Sequence, residues 1–177
     1  MLAQLLDRTT RGARLAVLIA VGLVAGFGVA TAVGAPAEAV YALVSDVTRM
    51  GEWSPETASC RWVDDARSAE VGARFRGSNR RGPLQWTTTC TVTAADPGRR
   101  FAFTVTWVGV PISDWAYDLA PAAGGCTVTE SWTDRRPGAM RLASAPVMGI
   151  ADRAGHNRRG MEVTLSALAR AAEASER

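Results

Sequence analysis

The chain has 177 residues, 47% of them hydrophobic and 21% charged, the balance of a globular protein with a sizeable core and not of a disordered one. All 20 basic residues are Arg, set against 17 acidic ones for a formal net charge of +3. The pairs Arg80-Arg81, Arg99-Arg100, Arg135-Arg136 and Arg158-Arg159 fall on separate predicted elements, which argues for solvated faces and against a nucleic-acid footprint.

Leu15 to Gly34 carries no charge over 20 residues and follows Arg8, Arg11 and Arg14. By length it could span a bilayer, and its basic flank with Ala30-Thr31-Ala32 mimics a secretory signal. Gly22, Gly26 and Gly28 weaken the second half, and a strand is needed just before Pro36 that only Ala25 to Gly34 can supply. The expected organisation is an apolar extension over 1–22 and one domain over 23–177. Cytoplasmic location is expected, with anchoring through residues 15–33 as the alternative.

Pro36 begins a short helix at its first turn, where a missing N–H costs nothing. Val40, Leu43, Val44 and Val47 form one apolar stripe at helical spacing. A second short turn brings Trp53 round before Pro55 stops it. Period-two runs follow: Thr57–Val63, Val71–Arg76, Leu84–Thr93, Arg100–Trp107, Ile112–Leu119 and Cys126–Asp134. The cluster Gly77 to Pro83 reads as a hairpin loop, and Asp96-Pro97-Gly98 and Gly124-Gly125 read as turns. Such spacing predicts an antiparallel sheet with one covered face. After a connector at Gly138–Pro146, a terminal helix places Val147, Ile150, Ala154, Asn157, Met161, Thr164, Leu165 and Leu168 on one stripe, with Arg153 off it. Cys60, Cys90 and Cys126 lie inside strand-like runs without CxxC spacing, which fits buried thiols in a reducing compartment.

The run Ala35 to Glu56 (APAEAVYALVSDVTRMGEWSPE), the strand segments WAYDLAP and VTESW, and the terminal HNRRGM resemble the START-like, helix-grip superfamily. Within it the chain is similar to bacterial SRPBCC proteins of the polyketide cyclase/dehydrase kind, over roughly residues 26–172. The resemblance implies an α+β fold: seven curved antiparallel strands around a long C-terminal helix, with two short helices after strand one. It also implies a cavity for lipid- or polyketide-like molecules, and it transfers no catalytic triad.

The covered face is expected to carry Phe75, Trp86, Phe101, Phe103, Trp107, Trp115, Tyr117 and Trp132. Each alone is ordinary core; together, with Trp53, Met148 and Met161, they suit the lining of a ligand pocket. Asn79 and Asn157 offer amide donors to the same hollow. Glu130, between Val128 and Trp132 on that face, must be paired, hydrogen-bonded or raised in pKa. His156 is the one histidine and is expected to pair with Asp152 on the helix surface or to act as an acid or base. Tyr117 with Glu130 is the arrangement for proton removal and enol stabilisation, with His156 as a further catalytic candidate.

No GxSxG, HExxH, P-loop or GxGxxG pattern occurs, and neither cofactor nor metal is expected. The leading reading is a protein that binds or carries a hydrophobic small molecule. A cyclase or dehydratase and a regulatory or stress-response module with a filled cavity are the alternatives. Oligomeric state has no sequence signal.

Overall fold

A computed structural model of the protein describes residues 26–150 and 152–176. The predicted extension over 1–22 therefore lies outside the described residues. β1 (Gly26–Val33) occupies the second half of the uncharged run. Among the described residues no helix is long and apolar enough to cross a membrane.

After β1 come α1 (Ala37–Ser45), α2 (Val47–Glu52, a 3-10 turn) and six further strands. These are β2 (Thr57–Val63), β3 (Arg74–Arg81), β4 (Leu84–Asp96), β5 (Arg100–Trp107), β6 (Val110–Ala122) and β7 (Gly125–Asp134). Two helices close the chain, α3 (Gly138–Met148) and α4 (Arg153–Ser175). The strands form one antiparallel sheet in the order β1-β7-β6-β5-β4-β3-β2. Every neighbour except the β1/β7 pair is sequential, so six strands build a meander and β1 closes its far edge.

Alternation decides which side chains meet the helices. Val29, Phe75, Cys90, Val92, Phe101, Phe103, Tyr117, Val128 and Trp132 point inward and join Met161, Leu165 and Leu168 of α4 in one buried cluster. The Thr-rich face of β4 points outward, but Thr88 belongs to the inner set and is buried. α4 packs most closely on β1, α1 and β7. Its long axis follows β1: Arg158 stacks over Phe27 at 5.4 Å near one end, and Glu173 Oε1 accepts from Gly34 N at 3.2 Å near the other.

Three local expectations change. Gly77 to Arg81 is the second half of β3, not a loop; a Cβ at 77 would sit tightly against Thr88 Oγ1, at 3.2 Å. The turn itself contracts to Gly82-Pro83, with Gly82 at φ +55°. The expected connector at Gly138–Pro146 is mostly helix, and the terminal helix starts later. Gly149 at φ +61° separates α3 from α4, and Asp152 caps the new start by accepting from Gly155 N at 2.8 Å.

Phe75 is 1% exposed and meets Trp62 and Phe103 edge-on at 5.7 and 5.2 Å. Phe75→Ala should destabilise the protein by about 3–5 kcal/mol. The effect should appear as a lower denaturant midpoint at unchanged slope; a loss under about 1 kcal/mol would mean these rings do not share one packed core.

Candidate functional site

The inner face has one charged-type side chain at its centre. Glu130 pairs across the sheet with Val29 on β1 and Tyr117 on β6, and it is 3% exposed. The Tyr117 hydroxyl donates to Glu130 Oε1 at 2.9 Å. Glu130 Oε2 is buried and has no hydrogen-bond partner. Burial raises the Glu130 carboxyl to about 8, against the smaller opposing pull of the Tyr117 hydrogen bond. Burial and the neighbouring carboxyl push the Tyr117 phenol well above its ordinary value.

At neutral pH Glu130 is therefore mostly a neutral acid. With Oε1 accepting from Tyr117, an O–H on Oε2 is a donor with nothing to bond. A carboxyl in this state can donate to an oxygen when protonated and remove a proton when ionised.

Other inward polar groups are partly engaged. Asn79 Nδ2 donates to Thr88 Oγ1 at 3.2 Å, and Trp115 Nε1 donates to Ser113 Oγ at 3.1 Å. Asn157 and Thr164 project from α4 and are buried. Of the expected aromatic lining, Phe75, Phe101, Phe103, Tyr117 and Trp132 are buried on the inner face, while Trp86 and Trp115 are half-buried. Trp53 is buried beneath Arg49. Met161 lies in the core, whereas Met148 is half-buried at the end of α3.

Trp107 does not follow the alternation and is 46% exposed. The register shift of the β5/β6 ladder puts its extra residue, Ile112, on β6, so the exposure of Trp107 comes from its place at the end of β5. The tight turn at Val108 and Gly109, both at positive φ, then carries Trp107 out at the hairpin tip.

His156 does not pair with Asp152, whose side chain is spent on the helix cap. Its Nε2 lies 2.9 Å from Glu56 Oε1 instead. Arg81 approaches the same carboxylate at 3.8 Å and donates to the carbonyls of Met148 and Gly149. Close by, Asp134 is held by Arg136 at 2.7 Å and by Arg141 at 3.5 Å. These bonds hold its carboxyl below the usual range against the opposing effect of burial. Sequence reasoning missed this cluster because Glu56 and His156 are 100 residues apart. A concavity of about 400 Å³ also exists on the opposite, outer face of the sheet, between Arg100, Thr104, Asp114, Thr133 and Arg135.

A curved sheet gripping a terminal helix, with a buried polar pair facing that helix, defines a helix-grip protein. The chain belongs to the family of polyketide cyclases/dehydrases and lipid-transport proteins, whose model matches residues 27–173. It is similar to a polyketide-cyclase-like protein of Corynebacterium glutamicum, with 34% identity and a TM-score of 0.60, over 88% of this chain and 95% of that one. A Chromobacterium violaceum protein shares the fold at 19% identity and a TM-score of 0.64, over 84% and 97% of the two chains. So does the di-domain ARO/CYC StfQ of the steffimycin biosynthetic pathway, at 16% identity and a TM-score of 0.65, over 87% of this chain and 52% of that one. No curated protein matches the chain.

The burial of Glu130 has a stability signature. The carboxyl ionises near 4.5 in the unfolded chain and near 8 in the folded protein. Between those values the unfolded state gives up a proton that the folded state keeps. The stabilisation is thus complete below 4.5 and is lost as pH rises toward 8, at up to about 1.4 kcal/mol per pH unit. Chemical denaturation at pH 5 and pH 8 should show this slope in the wild type and a flattened one in Glu130→Gln; equal slopes would contradict the buried neutral acid.

Proposed function

We propose that the protein binds a hydrophobic small molecule between the sheet and α4, with an acceptor oxygen of the guest against Glu130 and Tyr117. The buried, unpartnered Oε2 of Glu130 carries this reading. An unmet donor in an apolar interior costs about 1–3 kcal/mol, and a guest carbonyl or hydroxyl would recover it. Phe101, Phe103, Trp132 and Met161 supply apolar surface around it. α4 packs most closely on β1, α1 and β7, and the side chains between it and the sheet are buried in one cluster, so a guest enters only by displacing some of them. Membership of a family described by cyclisation, dehydration and lipid transport supports the same reading.

An enzymatic reading rests on the same pair. Glu130 would protonate a leaving hydroxyl or polarise a carbonyl, with Tyr117 as its hydrogen-bond partner. Binding is the broader reading, because it needs the donor alone.

Tryptophan fluorescence titration with 2-dodecanone and with dodecane separates the outcomes. The ketone should bind saturably and lose roughly 10-fold in affinity in Glu130→Leu, while Glu130→Gln, which keeps an N–H donor, should hold most of it. Absence of saturable binding by either compound, or equal affinity for both, would overturn the proposal.

A further inference from the structure

We infer that the end of the sheet where β1 begins and β7 ends docks on an anionic lipid bilayer, with the β5–β6 tip and α3 as its apolar contacts. This surface stands apart from the guest site proposed above. In the antiparallel order of strands, the β3–β4 and β5–β6 tips, the start of β1 and the end of β7 all lie at one end. α3 lies across that end, since Arg141 reaches the Asp134 carboxylate at 3.5 Å and Arg81 of β3 donates to the carbonyls of Met148 and Gly149. Four of the six large exposed apolar side chains among the described residues are here: Leu84, Trp107, Val108 and Leu142. The β5–β6 tip and Leu142 are neighbours by register. Val110 is three residues before Ser113, about 10 Å along β6, and Ser113 pairs with Asp134, which Arg141 beside Leu142 approaches.

Val108 is the residue that the fold itself does not explain. Trp107 pairs with Val110, so Val108 and Gly109 form a two-residue loop, with φ +49° and +78°. Such a loop favours Asn-Gly. A β-branched residue in the left-handed region strains the backbone, and at 82% exposure the valine makes little contact within the protein to offset it. Turn chemistry asks for asparagine here; an apolar contact outside the chain gives valine a reason.

Charge selects the partner. Arg80, Arg135 and Arg141 stand exposed at the same end, and α3 carries no acidic residue. The nearby carboxylates of Asp114, Asp134 and Glu56 are each approached by an arginine. The uncharged run that starts at Leu15 enters β1 at Gly26, opposite Thr133 at this end, and Arg8, Arg11 and Arg14 precede it. Tryptophan suits the headgroup level of a bilayer, valine and leucine the acyl boundary, and arginine the anionic phosphates.

Co-sedimentation of the full chain with vesicles of phosphatidylglycerol and phosphatidylcholine, and of phosphatidylcholine alone, tests this. The protein should bind the anionic vesicles roughly 10-fold tighter than the neutral ones, and the preference should shrink as salt rises. Val108→Asn should weaken this binding roughly 10-fold while raising the denaturant midpoint, because it relieves the turn. Leu142→Gln should weaken it by a similar factor at an unchanged midpoint. Absence of binding, equal binding to both vesicle types, or binding unchanged in either variant would overturn the docking surface. So would a lower midpoint in Val108→Asn, which would give the valine a role in the fold.

Discussion

Glu130 places a carboxyl group in the middle of an aromatic and aliphatic interior, with one oxygen held by Tyr117 and the other bare. Apolar interiors tolerate such a group only when it is neutral or fully bonded. Here the first condition is met, since burial outweighs the tyrosine hydrogen bond and keeps the proton on. The rest of the interior is arranged around that compromise. Its flanking neighbours on β7, Val128 and Trp132, exclude water, and Val29 and Tyr117 close it from the adjacent strands. A side chain replaced by leucine would pack there at lower cost, so stability alone gives no reason for a glutamate.

The same interior joins two different surfaces. The sheet contributes rings, and α4 contributes a stripe that begins with a cation and an amide and continues with Met161 and leucines. Near the start of α4, Glu56 links the loop before β2 to His156 and faces Arg81 of β3. Arg136 fastens Asp134 and Ser144 together, tying β7 to α3. These bonds fix the head of α4 relative to the sheet.

Much of the fold was legible because its signals are local and periodic. Alternation in Arg100–Trp107 and Cys126–Asp134, and the apolar stripe from Val40 to Val47, each report which side chains are covered. Glu130 stood out for the same reason, as an ionisable residue in an inward position. What failed to read was whatever depended on a kink or on distant partners. Trp107 ends β5 at the Val108-Gly109 turn and is exposed there, and alternation alone does not say where a strand runs past the covered region. Gly149, at positive φ, broke the terminal helix in two, which periodicity alone did not show. The Glu56–His156 contact had no sequence signal, being assembled only when the sheet curls.

The account stands on the protonation state of one buried side chain. Carbon-13 NMR of protein labelled at the glutamate δ-carbon, with Glu130→Gln assigning the resonance, reads it directly. The Glu130 signal should stay in its protonated position through neutral pH and titrate near 8. A signal already ionised at pH 6 would contradict the neutral donor and with it the oxygen-binding role proposed for the Tyr117–Glu130 pair.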